Sequence, residues 1–108
     1  MILFGFIETR RFTGKVGKLL AEDEYAEIQL FLCEHPDFGK IIKGSGGIRK
    51  ARCGVGNRGK SGGARIIYYW AVSDEKIIML DIYAKNEKEN LSPNEIQNLR
   101  RKVQEFLR

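Results

Sequence analysis

Two stretches constrain the fold of this chain more than any others: Ala64–Val72 (ARIIYYWAV) and Ile77–Tyr83 (IIMLDIY). Both are runs rich in β-branched and aromatic residues, and only Ser73-Asp74-Glu75-Lys76 separates them. Runs of this length and composition, joined by a short polar turn, read as paired strands. They predict a hairpin in the middle of an antiparallel sheet.

The flanks add the remaining elements. Residues 2–7 (ILFGFI) read as a short, largely buried first strand. In residues 8–20, Phe12, Val16, Leu19 and Leu20 fall at helical spacing, while Gly14 and Gly17 weaken the pattern. From Glu22 the signal improves, because Glu22, Asp23 and Glu24 crowd a first turn where acids favour a helix N-terminus. Tyr25, Ile28, Leu32 and Phe31 supply its apolar stripe, and Pro36 ends the helix near His35. A lone histidine at a helix end suits a surface or capping role. Residues 48–53 (IRKARC) alternate, with Arg49, Ala51 and Cys53 on one face and Ile48, Lys50 and Arg52 on the other. Finally, Ser92-Pro93-Asn94-Glu95 combines an N-cap serine, a first-turn proline and a capping glutamate. Ile96, Leu99, Val103, Phe106 and Leu107 follow at helical spacing, so one face of this last helix should cover the sheet. The order is one strand, two helices, three strands and a helix: a single α+β domain over residues 1–108.

Charge is distributed unevenly along this fold. Lys43–Arg65 (KGSGGIRKARCGVGNRGKSGGAR) holds seven basic residues, eight of the twelve glycines and no acid. No Asp or Glu lies between Asp37 and Asp74, and outside that zone 11 basic residues face 14 acids. The net charge of +5 therefore comes from one third of the sequence, as expected of a surface built for a polyanion. Nucleic acid is the first partner to consider. A membrane surface is not supported, since no basic amphipathic helix is present. The apolar start MILFGFI is too short for a signal peptide or a span, so a cytoplasmic location is expected. Cys33, Cys53 and His35 have no usual metal-site spacing, so neither metal nor other cofactor is expected. The cysteines read as buried thiols in a reducing compartment.

Residues 54–61 (GVGNRGKS) match the phosphate-loop pattern GxxxxGK[ST] letter for letter, and residues 77–81 (IIMLD) resemble a magnesium-holding strand. Such a loop must follow a buried parallel strand and open into a helix whose N-terminus supplies amides and dipole. Here two glycines and a strand follow Ser61. No bound nucleotide is expected. A flexible hairpin loop displaying Arg58 and Lys60 explains the glycines better.

Three segments together, GSGGIRKAR (44–52), GKSGGARIIYYW (59–70) and IYAKNEKENLSPNEI (82–96), are similar to the HigB-type branch of the RelE/ParE superfamily of toxins. The likeness covers the chain from Gly44 onward, and the first third matches in layout alone. It implies a RelE-like fold and the toxin half of a type II toxin–antitoxin module. RelE-type members enter the ribosomal A site and cleave mRNA without a metal, whereas ParE-type members inhibit gyrase. It also implies a neutralising antitoxin, in this branch often of helix-turn-helix type.

Metal-free RNA cleavage by the neighbouring 2′-hydroxyl needs a base, a stabiliser for the dianionic phosphorane and an acid for the 5′-oxygen. Arg65 heads a strand, where its guanidinium can hold the scissile phosphate in two hydrogen bonds. Tyr83 and Lys85, two residues apart at the end of the neighbouring strand, should project on one face. A cation cluster would lower the pKa of its own Lys and Tyr members. Lys60, Arg65, Tyr83 and Lys85 are thus the expected catalytic set, with Lys43, Arg49, Lys50, Arg52 and Arg58 as RNA or ribosome contacts. Asp81 shares the face of Tyr83, where it could orient Arg65 or meet the last helix. Tyr68, Tyr69 and Trp70 read mainly as core. A gyrase inhibitor on the same fold and a non-enzymatic RNA- or DNA-binding module are the alternatives to a ribosome-dependent endoribonuclease.

Overall fold

The computed structural model describes residues 4–54 and 63–107. Its elements run β1 (Gly5–Glu8), α1 (Arg10–Leu19), α2 (Glu22–Glu34), β2 (Lys40–Ile41), β3 (Arg49–Cys53), β4 (Ala64–Ala71), β5 (Lys76–Ala84) and α3 (Pro93–Leu107). One five-stranded sheet carries them in the order β1-β5-β4-β3-β2. The β4–β5 hairpin is central, as its apolar runs require. The sheet is mixed rather than wholly antiparallel, because β1 pairs parallel to β5 along one edge. The first helical pair carries the chain back across the sheet to make that parallel pairing possible. β2, two residues paired with β3, is an edge strand that the sequence pattern does not announce. Of the expected first strand, residues 2 and 3 lie outside the described residues, as does nearly all of the expected 54–63 loop.

Helix α1 forms despite Gly14 and Gly17, since Phe12 is fully buried and Val16 and Leu19 join the same core cluster. Burial of one apolar face outweighs weak intrinsic propensity. Thr9 caps it: its hydroxyl accepts the Phe12 amide at 3.1 Å and donates to the Leu80 carbonyl at 2.8 Å. At the start of α2, the Glu24 carboxylate accepts the Ala21 amide. His35 closes that helix with its ring against Phe31, in the capping role expected of it. Helix α3 opens with the reciprocal Ser92–Glu95 bonds that the sequence spells out.

The sheet separates two apolar clusters. Helices α1 and α2 cover one face through Phe12, Leu20 and Leu32 against Ala51, Ile66, Tyr68, Ile77, Met79 and Ile82. Helix α3 covers part of the other through Leu99 and Val103, against Ile48, Ile67, Ile78, Leu80 and Tyr83. A register shift decides which β5 residues belong to which face. Ile67 pairs with Asp81 but Tyr68 pairs with Met79, so Leu80 is an extra residue on β5. This bulge turns Tyr83 onto the α3 face, whereas strict alternation would leave it beside Ile77 and Met79.

Between α2 and β3 the chain is tied to the sheet. The Tyr68 hydroxyl donates to the Pro36 carbonyl and accepts the Gly39 amide, both at 2.8 Å. Gly39 admits no side chain, since an added Cβ would stand 2.9 Å from the Tyr68 ring. The turn entering β3 is closed by Ser45, whose buried hydroxyl bonds Ile42 and Ile48. Gly44, Gly46 and Gly47 all have positive φ there, as the expected turn into a strand requires.

Candidate functional site

On the α3 face, beyond the cover of that helix, lies a groove of about 360 Å³ lined by Lys50, Arg52, Arg65, Lys85, Lys88, Glu89 and Asn90. Strands β3 and β4 and the segment that follows β5 build it. Lys50 and Arg52 alternate with inward Ala51 on β3, which points both onto the groove side. Arg65 stands in direct register with Arg52 on one side and Tyr83 on the other. Lys85 is fixed just past β5 by its amide, which donates to the Gly63 carbonyl at 3.2 Å.

Like charges directly opposite on adjacent strands destabilise a sheet. The Arg52–Arg65 pair is therefore a local cost that an anion between the guanidiniums would remove. The side chains of Arg52, Arg65 and Lys85 make no hydrogen bond or ion pair with a described residue. Their donors are available to a ligand. Two other cations are tethered. Lys50 Nζ donates to Asn90 Oδ1 at 3.1 Å and to the Glu89 carbonyl at 3.4 Å. Lys88 Nζ pairs with Glu95 Oε2 at 2.6 Å and stands 5.2 Å from the centroid of the Tyr83 ring.

The expected catalytic and contact residues distribute as follows. Arg65 and Lys85 meet in the groove, joined by Lys50 and Arg52. Lys60 and Arg58 lie outside the described residues. Tyr83 does not join Arg65 and Lys85: it is fully buried in the α3-side cluster and does not line the groove. Its hydroxyl has no partner among the described residues. Burial raises its pKa, and the nearby Arg65 opposes that rise only in part, so the expected lowering fails for this residue. Arg49 also lies outside the groove, where one nitrogen of its guanidinium donates to the carbonyls of Gly39 (2.7 Å) and Asp37 (3.1 Å). Alternation places it with Ala51 on the helix-covered face. Lys43 is exposed in the turn before β3, outside the groove lining. Asp81 does not pair with Arg65, and it lines a cavity together with Asn98, Leu99 and Lys102 of α3. Its buried carboxylate takes Lys15 Nζ at 3.0 Å, Arg11 Nε at 3.2 Å and the Ile82 amide at 2.8 Å.

Cys53 is no nucleophile at ordinary pH, since burial pushes its thiol up to about 11. Tyr68 is buried core, with Tyr69 and Trp70 half-buried against the two clusters, as expected. Sequence reasoning missed Lys88, Glu95 and Asn90 as neighbours of the cation set. Lys88 and Asn90 sit in a charge-rich turn whose spacing carries no cross-strand information, and Glu95 already had a sufficient role as a cap.

Comparison with known proteins gives the same fold. The free E. coli toxin RelE, as a double mutant, superposes with a TM-score of 0.62 at 12% identity, over 94% of this chain and 98% of that one. A chain of the intact E. coli RelBE toxin–antitoxin complex gives 0.55 at 13% identity, over 73% of this chain and 93% of that one. At such identities these likenesses establish the fold. The family described as the RelE toxin of the RelE/RelB toxin–antitoxin system matches residues 39–108, which includes the whole groove. The chain therefore belongs to the RelE toxin family, the toxin side of a type II toxin–antitoxin system.

Proposed function

We propose that this toxin is a ribosome-dependent mRNA endoribonuclease whose working surface is the β3–β4–β5 groove. The observation that carries the reading is the opposed Arg52–Arg65 pair with Lys85 on the same groove, cations that form no ion pair with a described acid although Glu89 also lines the groove. In the proposed step the RNA 2′-oxygen forms a bond to the adjacent phosphorus and the bond to the 5′-oxygen breaks. The products are a cyclic 2′,3′-phosphate and a 5′-hydroxyl. Two guanidiniums facing the phosphate suit the extra negative charge of the phosphorane, which develops only in the transition state. The 2′-hydroxyl gives its proton to a base and the 5′-oxygen takes one from an acid, and we assign one of these transfers to Lys85, which lines the groove. Lys60 joins it on the strength of the sequence alone. Tyr83 forms the floor under Lys88 instead of acting on the substrate.

The partners proposed are translating ribosomes with their mRNA and a cognate antitoxin, of helix-turn-helix type as in the HigB-like branch that the 44–52 and 59–70 motifs resemble. The decisive experiment is primer extension on mRNA after induction, with and without translating ribosomes. New RNA ends that depend on ribosomes are expected for the wild type. Arg65→Ala should lose at least about two orders of magnitude in cleavage, in keeping with loss of a transition-state charge contact. Full growth arrest by induced Arg65→Ala protein would sink the proposal. Salt-sensitive RNA binding with no new ends would instead identify a non-enzymatic binding module.

A further inference from the structure

The five groove cations fall into two classes. Arg52, Arg65 and Lys85 have side chains without a described partner, while Lys50 is held by the segment that leads into α3 and Lys88 by Glu95 in the first turn of α3. Lys50 is held by neutral acceptors, a carbonyl and a side-chain amide. Lys88 is held by a carboxylate. That carboxylate has its own independent anchorage. Glu95 Oε1 accepts the Ser92 amide at 2.8 Å, and the Ser92 hydroxyl accepts the Glu95 amide at 3.2 Å. The capping box thus fixes the carboxylate whether or not Lys88 is bound to it. Lys88, by contrast, is a four-carbon stem with a compact charge, half-buried over a rigid ring and already on the groove wall.

We infer that Lys88 is a reserve phosphate ligand of the groove: Glu95 holds its ammonium in the free toxin, and the RNA backbone takes it over on binding. Glu95 acts as a competitor placed by the helix cap, setting how strongly the groove grips an RNA that has not been correctly positioned. The inference deepens the proposed function and rests on the groove being the RNA surface. It adds one phosphate contact beyond those of the open cations.

The test is anisotropy titration of a labelled, fully 2′-O-methylated single-stranded RNA, which binds but offers no 2′-hydroxyl for attack. Glu95→Gln is the informative variant because glutamine keeps the capping box while removing the charge. Glu105→Gln is its control, since Glu105 also pairs with a lysine on α3, Lys102, but lies outside the groove lining. Relative to that control, Glu95→Gln should tighten binding about three- to tenfold at an unchanged salt slope, whereas Lys88→Gln should make the slope shallower by about 0.7, the increment for one single-strand phosphate. In a Lys88→Gln background the extra gain should vanish. Equal affinities for the two glutamate variants, or a gain that survives loss of Lys88, would overturn the inference while leaving the groove reading intact, provided that Arg65→Ala weakens binding. Unchanged binding by Arg65→Ala would overturn both. Cooperative thermal melts with midpoints well above the titration temperature confirm that every variant compared is folded.

Discussion

Arg65 shows how much one position can mean only in context: Arg52 faces it across one strand boundary and Tyr83 across the other. A guanidinium so placed is either a cost to the sheet or a contact awaiting an anion. Sequence reasoning selected Arg65, Lys85, Lys50 and Arg52, and the fold does assemble these four. It also selected Arg49 and Tyr83, whose side chains instead tie down the 37–39 segment and fill the α3-side core. The difference lies in strand faces, since neighbouring cations on β3 point to opposite sides of the sheet. Glu95 yields a prediction at this scale. Its carboxyl is held down at about 2 by the Lys88 hydrogen bond first and the Ser92 amide next, against an ordinary value of 4.5. A carboxyl depressed in the folded state adds stability that is complete above about pH 4.5 and is lost as pH falls towards 2. The pair is partly exposed, so solvent screening limits the effect to less than about 1 kcal/mol. Wild type should therefore melt above Glu95→Gln near neutral pH, and the two curves should converge as pH approaches about 2. A gap independent of pH would contradict this account of Glu95.

At the scale of elements, α1 was legible only in part. Its glycines argue against a helix, yet it forms because Phe12, Val16 and Leu19 find a core and Thr9 supplies a cap from the end of β1. The same hydroxyl bonds the Leu80 carbonyl at the bulge that turns Tyr83 to the α3 face. Thr9→Val keeps the shape and removes both hydrogen bonds. It should cost about 1–2 kcal/mol, the range for a lost N-cap plus a buried carbonyl left without its donor. The urea midpoint should fall with no change in slope. A loss below about 0.3 kcal/mol would show that the cap is dispensable. Helix α3 was legible in full, because Ser92-Pro93-Asn94-Glu95 specifies its start locally and its apolar spacing specifies its buried face. The short β2 was illegible, since two residues show no alternation and their pairing depends on where β3 lies.

For the whole molecule, the uneven charge becomes a sided object. Helices α1 and α2 close one face of the sheet, and Lys50, Arg52 and Arg65 meet Lys85 and Lys88 on the other, where α3 leaves the groove open. Association with RNA should accordingly be steep in salt. Three open cations give a slope of about −2, and all five about −3.5, at about −0.7 per single-strand phosphate. Titration across a salt series checks this, and a slope near zero would remove the groove as a phosphate surface. The sequence by itself determined the α+β class, the central hairpin, the capped last helix, the RelE-like motifs and the concentration of cations between Asp37 and Asp74. These rest on local periodicity, capping chemistry and composition, which act over a few residues. Tertiary structure alone decided the parallel first strand, the bulge at Leu80, the burial of Tyr83, the commitment of Arg49 and the capture of Lys88 by Glu95. All but the last depend on how distant segments pair in register. The Lys88–Glu95 contact, though only seven residues apart, depends on where the turn and helix α3 settle against the sheet.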